Sequence, residues 1–339
     1  VKGISDIEIQ RQSQNLQNSS ALQTGLYEQL ITELLSRRLA DLPSDHFYIQ
    51  HQSINLIDAT RHLTQHLAKL IQFALNEVPS NQRPFGQIDL ANKIIRLLAT
   101  EIGSIDLHED LIATEGQLLE AILQRIDQPY ANLRDRVRQI MPHTRLSQSE
   151  LFTGNRAGIS LESEIKKEIA SADEICWLVS FVKLSGIRTL LPTLTEFTRH
   201  RRFRIITTSY MGATELKAIE QLAALPNTEI KISYNTNRER LHAKAYLFLR
   251  DSGFHTGYIG SSNLSRSAHT NGLEWNMKIT TREVGHIIDK SRKIFETYWE
   301  DKSFERFDPA KDVERFKEAL RSQKMRPVGG IDHDPIDIT

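Results

Sequence analysis

Between residues 175 and 299, short apolar runs of strand length alternate with longer runs of helical period. That alternation restricts the stretch to a sheet with helices packed on its faces. Strands are predicted at 175–182, 204–208, 228–234, 243–249, 257–260 and 274–280, and helices at 185–198, 214–224 and 282–299. A helix with Ile165 and Ile169 on its apolar face leads in. The run LHAKAYLFL sets the geometry. Alternation puts His242, Lys244, Tyr246 and Phe248 on one face and Leu241, Ala243, Ala245, Leu247 and Leu249 on the other. Both faces are largely apolar, as in a central strand, with the polar pair at its N-terminal end.

The first 140 residues have a different period. Leu26, Leu30, Ile31, Leu34 and Leu35 recur at helical spacing up to Pro43, and Asp58 can cap a helix carrying Leu63, Leu67, Leu70, Ile71 and Ala74. Residues 89–99 and 109–126 read as helices too, while 1–20 are a loose polar lead-in. His62 and His66 have the i, i+4 spacing of zinc ligands, but Leu63-Thr64-Gln65 lies between them without the metalloprotease glutamate. They read as a solvated or partly packed helix face. The expected division is a helical domain over 1–145, an α/β domain over 146–305, and a C-terminal helix and linker over 306–339 whose amphipathic piece is 313–320.

Lys plus Arg equals Asp plus Glu at 43 each, so nucleic-acid affinity must come from local patches. One lies between Lys183 and Arg250, with 12 Lys or Arg against 5 Glu. It includes Arg199, Arg201, Arg202 and Arg204, with Arg238 and Arg240 just before the central strand. A polyanion would leave this footprint. The only cysteine, Cys176, sits in a strand-like run and reads as an inert core thiol. No apolar run approaches the roughly 20 residues of a membrane span and no signal peptide is visible, so a soluble, cytoplasmic protein with no membrane partner is expected. The start at Val1 and the Pro, Gly and Asp-rich end suggest a fragment of a longer polypeptide. Neither G-x-x-x-x-G-K-[ST] nor G-x-G-x-x-G occurs, so any ATP-binding loop must lie on another polypeptide or segment.

The chemistry-bearing residues lie between 240 and 276: His242-x-Lys244, then Gly260-Ser261-Ser262-Asn263, then Glu274. An H-x-K triplet is weak evidence, since chance supplies about 0.6 of them in a chain of this composition. The order of parts is stronger: the triplet on a strand, a hairpin, G-S-S-N at the next strand end, and a carboxylate 11 residues after Asn263. His242 and Lys244, roughly 6.5 Å apart on one strand face, could both touch one phosphate. Gly260 would let the backbone turn tightly, Ser261 and Asn263 would donate to phosphate oxygens, and Glu274 could orient an imidazole.

This order resembles the HKD signature of the phospholipase D superfamily, in particular its nuclease branch. Residues 150–305 are similar to the phospholipase-D-like domain found ahead of some superfamily II helicases, and GLYEQLITELL resembles the lead-in of those proteins. The resemblance implies a phospholipase-D-like mixed sheet flanked by helices, preceded by the all-helical domain. Its usual aspartate, five residues after the lysine, is replaced by Leu249, and the nearest aspartate is Asp251. The resemblance further implies an endonuclease that needs no cofactor or metal, with DNA as substrate. His242 would form a phosphohistidine and Glu274 would orient its ring. Lys244, Ser261 and Asn263 would bind phosphate oxygens, with Arg238, Arg240 and Ser262 contacting substrate. Because a second histidine must protonate the leaving oxygen and only one H-x-K occurs, it implies a homodimer, with a helicase fused downstream or acting in trans. Phospholipid hydrolysis and a non-catalytic DNA-binding, dimerising module are the alternatives.

Overall fold

A computed structural model describes residues 22–103, 106–113, 116–123, 133–153, 159–234, 241–264 and 274–324. The chain divides into two compact units, Val1–Leu119 and Glu120–Thr339.

In the first unit the helices are α1 (Glu33–Ala40), α2 (Ala59–Glu77) and α3 (Phe85–Ile102). α1 begins later than its apolar spacing suggests. Thr32 caps it by accepting from the Leu35 amide, and Leu26 and Leu30 lie ahead of it outside any helix. Asp58 occupies the cap position of α2 without a side-chain cap bond; its carboxylate and amide are bonded to Asn55 instead. The helix expected at 109–126 does not form in its described part: one turn of 3-10 helix spans Leu107–Asp110, and 111–113 and 116–123 are irregular. The buried Asn92 explains the local path, since its amide accepts from the Ile112 N–H (2.8 Å) and donates to the Ile112 carbonyl (2.9 Å). His62 and His66 are half-buried on α2, with His62 Nε2 3.3 Å from Arg61.

The second unit opens with α4 (Leu133–Ile140), followed by β1 (Glu150–Phe152), α5 (Leu161–Ser171), β2 (Glu174–Val179), α6 (Leu184–Ile187) and α7 (Leu191–Thr198). Next come β3 (Arg202–Thr208), α8 (Leu216–Ala223), β4 (Thr228–Ser233), β5 (Lys244–Leu249), β6 (Thr256–Gly260) and β7 (Asn276–Thr280). α9 (Thr281–Glu300), β8 (Phe304–Arg306) and α10 (Val313–Lys324) complete it. The eight strands form one mixed sheet in the order β1-β7-β6-β5-β2-β3-β4-β8. β2, β3 and β4 run parallel, because each crossover carries helices; the other pairs are antiparallel.

The predicted alternation of β5 appears in its packing. Tyr246 and Phe248 join the core under α5, α7, α8 and α10, with Trp177, Phe203, Tyr258 and Phe316. Leu247 and Leu249 join the opposite core, where Phe295 and Trp299 of α9 close over Cys176, Leu178 and Ile206. With helices on both faces, β5 is the central strand its sequence suggests. The two edge strands, β1 and β8, are three residues each and carry too little alternation to be read in advance.

A fully buried charge cluster fixes α5 to the hairpin half of the sheet. Glu168 pairs with Arg250 (2.5 Å) and Lys278 (2.9 Å), and accepts from Thr256 (2.7 Å) and Tyr258 (2.8 Å). Lys278 also reaches Glu164 at 3.3 Å. Burial alone would raise the Glu168 carboxyl, but the two cations hold it down at about 2.

Candidate active site

The parallel strands β2 and β3 end, and β5 begins, at the same edge of the sheet, since Val179 pairs with Lys244 and Leu178 with Ile206. His242 lies one residue further out than Ala243, ahead of the strand, and is exposed. Ser180, just past β2, donates to the Ala243 carbonyl (3.2 Å), clamping the residue between His242 and Lys244. Lys244 is 7% exposed. Its Nζ lies 3.2 Å from His242 Nε2 and donates to the His242 carbonyl at 2.8 Å. The two side chains therefore converge on one point. Burial depresses the Lys244 pKa, and the nearby Glu274 carboxylate partly opposes that shift.

The G-S-S-N turn follows β6. Gly260 is required by close approach and not by a positive φ: a Cβ there would overlap the Trp275 carbonyl oxygen and lie 2.6 Å from Asn276 Oδ1. Ser261 donates its hydroxyl to Glu274 and its N–H to the Trp275 carbonyl (3.0 Å), and accepts from the Trp275 N–H (3.1 Å). Asn263 Oδ1 accepts from the Phe181 N–H (3.1 Å), which fixes the amide plane. The Nδ2 end of this half-buried side chain is then the donor left for a ligand.

Two expectations change. Glu274, expected to hold the His242 ring, is bonded to Ser261; among the described residues, the side-chain atom within hydrogen-bonding distance of the ring is Lys244 Nζ. Ser262, expected to contact substrate, is fully buried. Asn276 donates to its hydroxyl (2.6 Å) and accepts from its N–H (3.3 Å), and Tyr246 donates to its carbonyl (2.7 Å). It braces the turn from below. Arg238 and Arg240 lie outside the described residues.

The arginines at 199–204 are not part of this edge. Arg202 is level with Glu174 and Leu249, five register steps or about 17 Å from Lys244. They are also neutralised. Arg199 pairs with Glu196 (2.6 Å), Arg201 with Asp173 (3.4 Å) and Arg202 with Glu229 (2.7 Å). Arg204, 3% exposed, is held by Glu174 (3.0 Å) and Glu296 (2.5 Å) and lies over Phe295 and Trp299. Their spacing suggested a polyanion footprint, but carboxylates cancel it, Glu196 from the same helix end and the rest from distant segments. Cys176, beside Arg204, is buried with its thiol pushed up to about 12, the inert state expected. Asp251 sits at that far end too, its N–H bonded to Asp173 (2.9 Å).

Sequence reasoning missed Asn276, Tyr246's bond to the turn, and Phe181. Asn276 had a signal: a polar residue at an inward-facing position of a strand beside a glycine turn. Phe181 had none, because its place depends on how β2 ends against Asn263.

Residues 165–299 match the family model described as cardiolipin synthase, PLD-like domain. This segment is thus a phospholipase-D-like domain, on the mixed sheet that the resemblance implied. Similar solved structures include NucT from Helicobacter pylori, at 20% identity over 47% of this chain and 99% of that chain with a TM-score of 0.35. Nuc from Salmonella typhimurium, a phospholipase D family member, is similar at 17% identity over 47% and 99%, TM-score 0.37. Phosphatidylserine synthase from Haemophilus influenzae is similar at 11% identity over 52% and 44%, TM-score 0.35. No curated protein matches the chain. Among the described residues, no helix is long and apolar enough to cross a membrane.

Proposed function

We propose that this chain is a phosphodiesterase that cleaves DNA as a metal-independent endonuclease through a phosphohistidine on His242. The observation that carries the reading is the convergence of His242 Nε2 and Lys244 Nζ, 3.2 Å apart, beside a turn that presents Ser261 and the Asn263 amide. A diester phosphate seated there receives positive charge and neutral donors on its non-bridging oxygens, where charge accumulates as phosphorus becomes five-coordinate. The neutral imidazole nitrogen attacks phosphorus, a P–N bond forms and the P–O bond to the leaving nucleoside breaks. The leaving oxygen takes a proton from a second imidazole. Water then attacks the phosphohistidine, losing its proton to that second imidazole, and His242 is released. Lys244 and Asn263 supply the field that a metal provides elsewhere, joined by Ser261 once its hydroxyl turns from Glu274 to the phosphate.

The second imidazole is His242 of another copy, in a homodimer with its twofold axis near the site. An apolar row supports the pairing. Leu151, Met277 and Ile259 are cross-strand neighbours on the sheet face that α9 leaves uncovered toward the site, and they are 45%, 52% and 41% exposed. Arg238 and Arg240 are assigned to the DNA backbone on their closeness in sequence to His242. The resemblance of residues 150–305 to domains that precede superfamily II helicases supports a place as the nuclease module of a restriction or anti-phage helicase.

Incubation with supercoiled plasmid in excess EDTA tests the reading. Nicking or cutting by wild type, absent in His242→Ala, is expected. No cleavage anywhere between about pH 5 and pH 8 contradicts it. Release of a head group from phosphatidyl lipid under the same conditions would instead favour a lipid diesterase.

A further inference from the structure

His242 is exposed and its ring reaches the site on two freely rotating side-chain bonds, yet in-line attack needs one nitrogen aimed at phosphorus. With Glu274 bonded to Ser261, no carboxylate among the described residues fixes the ring, and Lys244 must turn from Nε2 to the phosphate once substrate is seated. Among the described residues, one other group faces the imidazole. The Phe181 ring stands edge-on to it, centroids 6.5 Å apart and planes inclined at 73°.

Phe181 is itself held rigidly. It follows β2 by two residues, its N–H donates to Asn263 Oδ1 (3.1 Å), and its carbonyl accepts from the Leu264 N–H (3.3 Å). Val182 and Leu264 form a parallel bridge, and the Lys183 N–H donates to the Leu264 carbonyl (2.9 Å). Ser180, on the other side, is tied to Ala243. The segment 180–183 therefore fastens the histidine strand to the G-S-S-N turn. Phe181 is the residue that touches both, its backbone setting the Asn263 amide and its ring bounding the imidazole.

We propose that Phe181 is a positioning residue: its ring limits His242 to the rotamer that attacks phosphorus, in register with the Asn263 donor that its own backbone orients. This inference rests on the diesterase reading. An edge-to-face contact of this kind selects one rotamer severalfold over its alternatives, so its loss should slow the chemical step about 3- to 10-fold while leaving substrate binding unchanged.

The experiment uses the full chain and bis(4-nitrophenyl) phosphate, a diester without a base to stack on an aromatic ring. Phe181→Leu, which keeps apolar volume, should lower kcat about 3- to 10-fold at constant KM, and Phe181→Tyr, which keeps the ring, should restore it. In parallel, NMR of the His242 ring should show one side-chain rotamer in wild type and in Phe181→Tyr, and rotamer averaging in Phe181→Leu. Equal kcat in wild type and Phe181→Leu overturns the inference, as does a change confined to KM on oligonucleotides, which would make Phe181 a substrate contact. If wild type cleaves no diester, the functional reading fails while the ring measurement still decides the positioning role: an unaveraged His242 in Phe181→Leu overturns it.

Discussion

The chemistry of the site depends on which groups meet His242, and among the described residues these are Lys244 and Phe181. The order of motif parts pointed to Glu274 as the carboxylate partner of His242, but Glu274 is bonded to Ser261, and Lys244 and Phe181 bound the imidazole instead. Lys244 then has two tasks, holding the empty ring and binding the phosphate, and the second requires its proton. Burial depresses its pKa below that of a free lysine, so the charged form is lost earlier as pH rises. Under the proposed mechanism, KM for a diester should climb with increasing pH along a limb that sits below the titration of a free lysine. Lys244→Arg, whose guanidinium keeps its charge, should lack that limb even if its rate is lower. Steady-state kinetics from neutral to alkaline pH measures both, and identical limbs in the two proteins would remove Lys244 from phosphate binding.

At the scale of the element, β5 carries the site at its N-terminal end and α5 packs on one face of the sheet around it. α5 does so through buried charge, with Glu168 between Arg250 and Lys278. A carboxyl whose pKa is lowered from 4.5 to about 2 contributes stability that is present above the upper value and lost as pH falls through the lower one. The melting temperature should therefore fall steeply as pH drops from about 4.5 toward about 2. Glu168→Gln should destabilise the fold by about 3–5 kcal/mol at neutral pH, since it takes from the buried Arg250 its carboxylate and leaves Lys278 only Glu164, and should flatten that acid dependence. Thermal denaturation of both proteins across this range is the check. The central strand, its two apolar faces and the strand and helix order were legible in the sequence because each is a local period. What was not legible is long-range pairing. The carboxylates that cancel Arg202 and Arg204, the Asn276 that braces Ser262 and the Phe181 that meets His242 come from 14 to 92 residues away, a separation no local pattern encodes. The same limit explains the helix expected at 109–126, where Asn92 captures the Ile112 backbone.

At the scale of the whole molecule, the two units differ in how they bury apolar surface. The sheet unit encloses two cores, whereas Leu63, Leu67 and Leu70 of α2 are 47%, 55% and 52% exposed, though their spacing correctly announced a helix. Periodicity shows that a helix has an apolar face and says nothing about what covers it. The site itself holds one histidine-lysine pair, and the proposed function turns on whether that histidine becomes covalently attached to phosphorus. The most direct measurement is to mix the full chain with a phosphorus-labelled DNA diester in excess EDTA, quench into denaturant and map the label. The account predicts label on His242 in a bond that is labile to acid and stable to alkali, absent from His242→Ala. Cleavage that proceeds with no label on His242, or that stops when EDTA is added, would contradict it.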